Sequence, residues 1–174
     1  MSLPRAGRLA PLLAALVACT PTFDWREVRI GDGSLRALFP CRPQHRAREV
    51  TLGGTALHMA MSVCTAEAST FALSVVDAPA PGNVGPVLDE LRRAASGNLG
   101  ATLPAGTPFA PEGATPNPAS ARLRIEGRLP DGKPVVEHAA FFIHGLRVYQ
   151  ASVIGAAPDV GAVEDFFAGL KFAP

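Results

Sequence analysis

Thr55 to Cys64, TALHMAMSVC, carries the cleanest two-residue period in the chain. Leu57, Met59, Met61 and Val63 fall on one face, with His58, Ala60, Ser62 and Cys64 on the other, as in a strand with one face on a core. Strand signals continue on both sides. Gly53-Gly54 offers a tight turn back to a strand over Arg46 to Leu52, and Phe71 to Val76 is apolar enough for a central strand. Earlier, Trp25 to Ile30 alternates, Gly31-Asp32-Gly33-Ser34 is turn chemistry, and Leu35 to Phe39 supplies the returning partner. Pro40 and Pro43, flanking Cys41, stop that strand.

Beyond these strands the period changes. Val84, Val87, Leu88 and Leu91 stand at helical spacing, with Pro86 at a first-turn position and Gly97 as a stop. Asp89 and Glu90 precede Arg92 and Arg93, the order the helix dipole favours. Leu99 to Ser120 holds five prolines, which exclude a helix or a long central strand. It is either an extended strap across the surface, pinned by Phe109, or a mobile functional segment. Ala121 to Leu129, Pro130-Asp131-Gly132-Lys133 and Pro134 to Ile143 then read as a long hairpin. Gly145 turns the chain into a strand over Arg147 to Ile154, whose alternation is imperfect. Val160, Val163, Phe166, Phe167 and Leu170 trace an apolar stripe on a closing helix, with Asp159 at its start and Lys171 at its end. Runs of strands with separated helices define an α+β domain over 25–174. Its expected form is an antiparallel sheet of about six to eight strands with two helices packed on it, crossed by the strap 99–120.

The first residues carry a different message. Arg5 and Arg8 precede an apolar run from Leu9 to Ala18 that ends at Cys19. As a helix this run covers about 15 Å, half of a ~30 Å hydrocarbon layer, so it is an export signal and not a membrane span. Leu16-Val17-Ala18-Cys19 resembles the lipobox of bacterial lipoproteins. That resemblance implies removal of residues 1–18, a diacylglyceryl group on Cys19 and a lipidated tether over 19–24. Two or more acyl chains hold a protein on a bilayer stably. Thr20, not Asp, follows the cysteine, so the expected address is the outer membrane facing the periplasm, with secretion to the periplasm as the alternative. Acylation leaves Cys41 and Cys64, an even pair in an oxidising compartment, as one expected disulfide worth about 3 kcal/mol on the entropic model. A redox pair is the other use of two thiols, but no Cys-x-x-Cys is present.

The element order, with Phe39-Pro40 near the early strands and Phe166-Phe167 on the last helix, is similar to the PsbP/Mog1-like fold. That resemblance implies a non-catalytic assembly or partner-binding role.

Chemistry is sparse. The chain has no Gly-x-Ser-x-Gly elbow and no glycine-rich phosphate loop. The balance of 16 basic to 15 acidic residues, with two of the arginines in the leader, gives no footing for nucleic acid. His58-Met59-Ala60-Met61 suggests copper by composition, yet on a strand His58 points away from both methionines, which then belong to the core. His138 and His144 share a side of their strand roughly 20 Å apart, too far for one metal, and Glu137 projects to the other face. Asp89-Glu90 and Glu164-Asp165 diverge around their helices and read as solvated charges. We therefore expect no catalytic or metal-ligating residue and no cofactor. The expected partners are the membrane, through the lipid on Cys19, and an envelope protein docking on the strap or the Asp131-Gly132 hairpin. Two rivals remain. One is a periplasmic enzyme using Glu137, His138 or His144; the other is a small-molecule or lipid carrier with an apolar cavity between sheet and helices.

Overall fold

The computed structural model of the chain describes residues 22–173, so the leader, the lipobox and Cys19 lie outside the described residues. A short hairpin comes first, β1 (Arg26–Ile30) and β2 (Leu35–Phe39). A meander follows: β3 (Gln44–Leu52), β4 (Thr55–Ala66) and β5 (Ser69–Asp77). Helix α1 (Pro81–Asn98) leads into the strap, whose one short strand is β6 (Thr107–Pro108). A second meander is built from β7 (Ala121–Arg128), β8 (Pro134–His144) and β9 (Arg147–Gly155). Helix α2 (Val160–Ala168) and β10 (Lys171–Phe172) complete the domain.

The two meanders join through the antiparallel pair β5 and β9 into a seven-stranded sheet, ordered β3-β4-β5-β9-β8-β7-β6. This is the α+β architecture with a large antiparallel sheet. One correction concerns the first hairpin. β1 and β2 stay out of the main sheet and form their own three-stranded sheet with β10. The reason is α2, which lies between the two sheets. Phe166 stands edge-on to Phe39 of the small sheet at 5.3 Å and to Phe71 of the large one at 5.5 Å. Such contacts add about 0.5–1.5 kcal/mol each beyond the area they bury. Cys41 and Cys64 are disulfide-bonded, with Cα atoms 6.0 Å apart, and fasten the exit of β2 to β4. Arg147 adds a surface tie, reaching Asp32 in the first turn at 2.6 Å and Asp77 at the end of β5 at 2.9 Å. That tie holds the Asp32 carboxyl below the usual carboxylate range.

Three further expectations are adjusted. Helix α1 begins at Pro81, so Pro86 sits inside the helix and not in its first turn. The missing Pro86 N–H would have met the carbonyl of Gly82, so one early bond is lost and the helix continues. Helix α2 starts under an Asp159 cap, the carboxylate accepting from the Ala162 N–H at 2.7 Å, but ends at Ala168. Gly169 passes so close to Leu38 that a Cβ there would overlap it, and Lys171 falls in β10 beyond the helix. The strap is docked. Phe109 packs edge-on to Phe142 and Phe167, and Thr115 donates its N–H to Ile143 O at 2.9 Å.

Helix α1 crosses the opposite face of the main sheet, running over the strands. Near its middle, Glu90 accepts the N–H of Gly53 in the β3–β4 turn. Past its C-terminus, Leu99 O accepts the Arg128 N–H of β7 at 2.9 Å. Gly127 permits that approach, because a Cβ at 127 would overlap the Leu99 carbonyl. Leu88 and Leu91 are buried against the sheet in a cluster with Leu123, Ile125 and Phe141. Fixed at two distant points, the helix leaves one flank standing over the sheet with a gap beneath it.

Candidate functional site

The gap is a groove of about 390 Å³ between the α1 flank and the floor of the sheet. Leu91, Ala94, Ala95 and Asn98 form the helix wall. The floor follows from strand alternation, since the same faces of β4, β5 and β9 present Met61, Ser74 and Gln150 side by side in register. One step along, Ala72 lies beside Ser152, and beyond it Ile154 of β9 pairs with Glu137 of β8. Arg48 of β3 stands at the far end. From Arg48 on β3 to Glu137 on β8 the groove runs diagonally, four strand spacings across and six residues along, about 28 Å in all.

Glu137 is the unusual member. It is only 6% exposed, with Gln150 Nε2 donating to it at a long 3.4 Å and the Ser152 hydroxyl as its other polar neighbour. Among the described residues no Lys, Arg or His makes an ion pair with it. Burial pushes its carboxyl up to about 7, and Gln150 and Ser152 counter only part of that effect. Ser74 and Ser152 are likewise buried, at 6% and 8% exposure. A floor that holds two hydroxyls, an amide and a carboxyl beside an open gap, with no cation paired to the carboxyl among the described residues, offers spare donor and acceptor capacity to a ligand.

The other two sequence candidates lie elsewhere. His138 is on the α2 face of β8, beside Arg124 in register, and burial followed by Arg122 and Arg124 depresses its pKa. His144 stacks on Phe172 at 4.2 Å, and its Nδ1–H donates to Gly113 O at 3.0 Å. The sheet therefore separates Glu137 from both histidines. His58 points to the face opposite Met59 and Met61. Met59 is core, whereas Met61 is only partly buried and lines the groove. The Asp131-Gly132 turn borders a larger, open concavity of about 690 Å³, lined by Glu126 and Arg128 among others. There the charges are already engaged: Glu126 with Arg124, and Arg128 with Gly132 O at 2.8 Å. The groove under α1 is the better candidate because its carboxyl is not.

Ser74, Gln150, Ser152 and Asn98 escaped the sequence reading. The one signal for them was the imperfect alternation of Arg147 to Ile154, where Gln150 and Ser152 take positions that a filled core would give to apolar side chains.

No family model matches the chain, and no curated protein matches it. A solved structure from Bacteroides thetaiotaomicron superposes with a TM-score of 0.47 at 11% sequence identity. The match covers 85% of this chain and 48% of that one, so the chain spans about half that protein's length.

Proposed function

We propose that this chain is a lipid-anchored envelope protein, facing the periplasm from the outer membrane, whose folded domain is a non-enzymatic binding module. The observation that carries the binding role is the groove under α1, with a nearly buried carboxyl that has no counter-charge among the described residues. Leu16-Val17-Ala18-Cys19 supports the anchor, and the Cys41–Cys64 bond supports an oxidising compartment. Against an enzyme stands the distribution of titratable groups, since Glu137 faces α1 while His138 and His144 face α2. The helix-covered antiparallel sheet also supports reading the domain as PsbP/Mog1-like, and partner binding accords with that class.

Two measurements test this reading. Mass spectrometry of the mature chain from membranes is expected to show an acylated Cys19 at the N-terminus, and Cys19→Ala is expected to leave the membrane fraction. A photocrosslinker placed at Met61 in intact cells is expected to give an adduct, while one at His58, across the same strand, gives none. An unmodified Cys19 would remove the anchor. Equal labelling from both positions, or labelling from neither, would remove the groove as the binding site.

A further inference from the structure

The groove has a length, a floor and two ends, and each restricts what it holds. It runs for about 28 Å diagonally across the strands, so a compact ring system would fill only part of it. Its floor carries Ser74, Gln150 and Ser152 in sequence, so a bare hydrocarbon chain would bury these groups unpaired at a cost of about 1–3 kcal/mol each. An occupant with donors and acceptors repeated along an extended backbone matches that floor.

The ends are charged and opposite. At one end Glu137 lacks a cation. At the other, Arg48 makes no ion pair among the described residues and is the one other charged side chain lining the groove. Around Glu137, β7 contributes Ile125 in register, β9 contributes Ile154, and the α1 wall contributes Leu91, Ala95 and Asn98, none of them charged. Glu90 of α1 is occupied with the Gly53 N–H in the β3–β4 turn. A ligand cationic at both ends would meet Arg48 unfavourably, which excludes a linear diamine.

We propose that the groove binds one extended peptide strand of about eight residues, with an ammonium group lodged against Glu137 and an acidic end toward Arg48. Met61 and Leu91 flank the strand, and the Ser74, Gln150 and Ser152 side chains bond its backbone. This rests on the binding-module reading and names the ligand class for the same groove. The ammonium is either a lysine side chain or a free α-amine, since the chemistry at Glu137 is shared.

Calorimetric titration of the folded chain with three synthetic peptides of about eight residues separates these cases. The first is acetylated, begins with lysine and ends with aspartate. The second has a free α-amine and no lysine, and the third is acetylated and lysine-free. One of the first two is expected to bind with a Kd below about 1 mM, and the third about tenfold or more weaker. The stronger arm identifies the amine. Affinity is expected to fall roughly tenfold per pH unit below 7 as Glu137 takes up its proton, and to level off above it. Glu137→Gln is expected to erase the preference for an amine and the pH dependence together. Met61→Trp, at the partly exposed rim, is expected to block binding without unfolding the domain.

Equal affinity of the amine-free peptide, or a preference that survives in Glu137→Gln, would overturn the ammonium site. Undiminished binding in Met61→Trp would overturn the location. Absence of any peptide binding, with the Met61 crosslink retained in cells, would overturn the ligand class alone. Loss of both would overturn the binding reading with it.

Discussion

The main sheet has two faces built from the same strands, and they are finished differently. Toward α2, alternate residues of β5, β8 and β9 are Phe71, Phe142 and Tyr149, closed over by Phe166, Phe167 and a second small sheet. Toward α1, the neighbouring positions on β5 and β9 are Ser74, Gln150 and Ser152, with a helix covering only part of them. Every backbone bond of the sheet serves both faces equally, so the contrast lies in side chains alone. Both faces bury an apolar cluster, but only the α2 face is closed over by a helix and a second sheet together. The α1 face keeps a row of polar side chains in its uncovered part.

The largest predicted effect breaks the closed face. Phe166→Ala removes a fully buried ring from between two others and is expected to cost 3–5 kcal/mol in urea unfolding. Met61→Ala, on the open face of β4, is expected to cost under about 1 kcal/mol. Similar losses at the two positions would abolish the distinction. Replacing both Cys41 and Cys64 by alanine is expected to lower stability by about 3 kcal/mol while leaving the groove intact. If that loss came with altered peptide affinity, the faces would be coupled.

Glu137 sharpens the comparison through pH. Its folded value of about 7 lies above the ordinary 4.5, so the folded state binds the proton more tightly than the unfolded one. Stability should therefore fall as pH rises from about 4.5 to about 7 and stay low above it. Glu137→Gln is expected to remove that slope and to stabilise the domain by up to roughly 3 kcal/mol at pH 8. Parallel pH–stability curves for the two proteins would show that the carboxyl is balanced in some other way.

A smaller effect is expected at the β4–β5 turn. Glu67 and Ala68 both hold positive φ, at 47° and 57°. Glu67→Asn with Ala68→Gly relieves that strain and is expected to stabilise by about 1 kcal/mol in the same urea titration. The smallest is at Arg122, which makes two bonds to Glu164 at 2.6 and 2.8 Å and sits over the Phe167 ring. Arg122→Met is expected to change stability by less than about 1 kcal/mol, because the Glu164 end of the pair is open to solvent and methionine keeps the packing on Phe167.

Legibility in the sequence follows the same division. Alternation in Thr55 to Cys64 and the Gly53-Gly54 and Asp131-Gly132 turns sufficed for the meanders, because those features act between neighbours in the chain. The β4–β5 turn was invisible, since Glu67 and Ala68 adopt by tertiary constraint a conformation that glycine or asparagine would have announced. Separation of β1 and β2 from the main sheet depends on α2 and the two residues of β10, far away in sequence. Glu137 was named as a candidate from its residue type, and its projection away from His138 was readable from period two. Its surroundings were not. Which of its neighbours is missing depends on where α1 is fixed, and that is set by Gly53, Leu99 and Gly127 acting over long loops.

The residues from 160 to 172 supply Val163, Phe166, Phe167, Leu170 and Phe172 to the aromatic interior, and β10 is the third strand of the small sheet. Ribosomal synthesis delivers them last among the described residues. Until they arrive, the small sheet lacks its third strand and the aromatic layer that joins it to the main sheet. For a chain exported as proposed, that order would leave closure of the aromatic interior to the far side of the translocation channel.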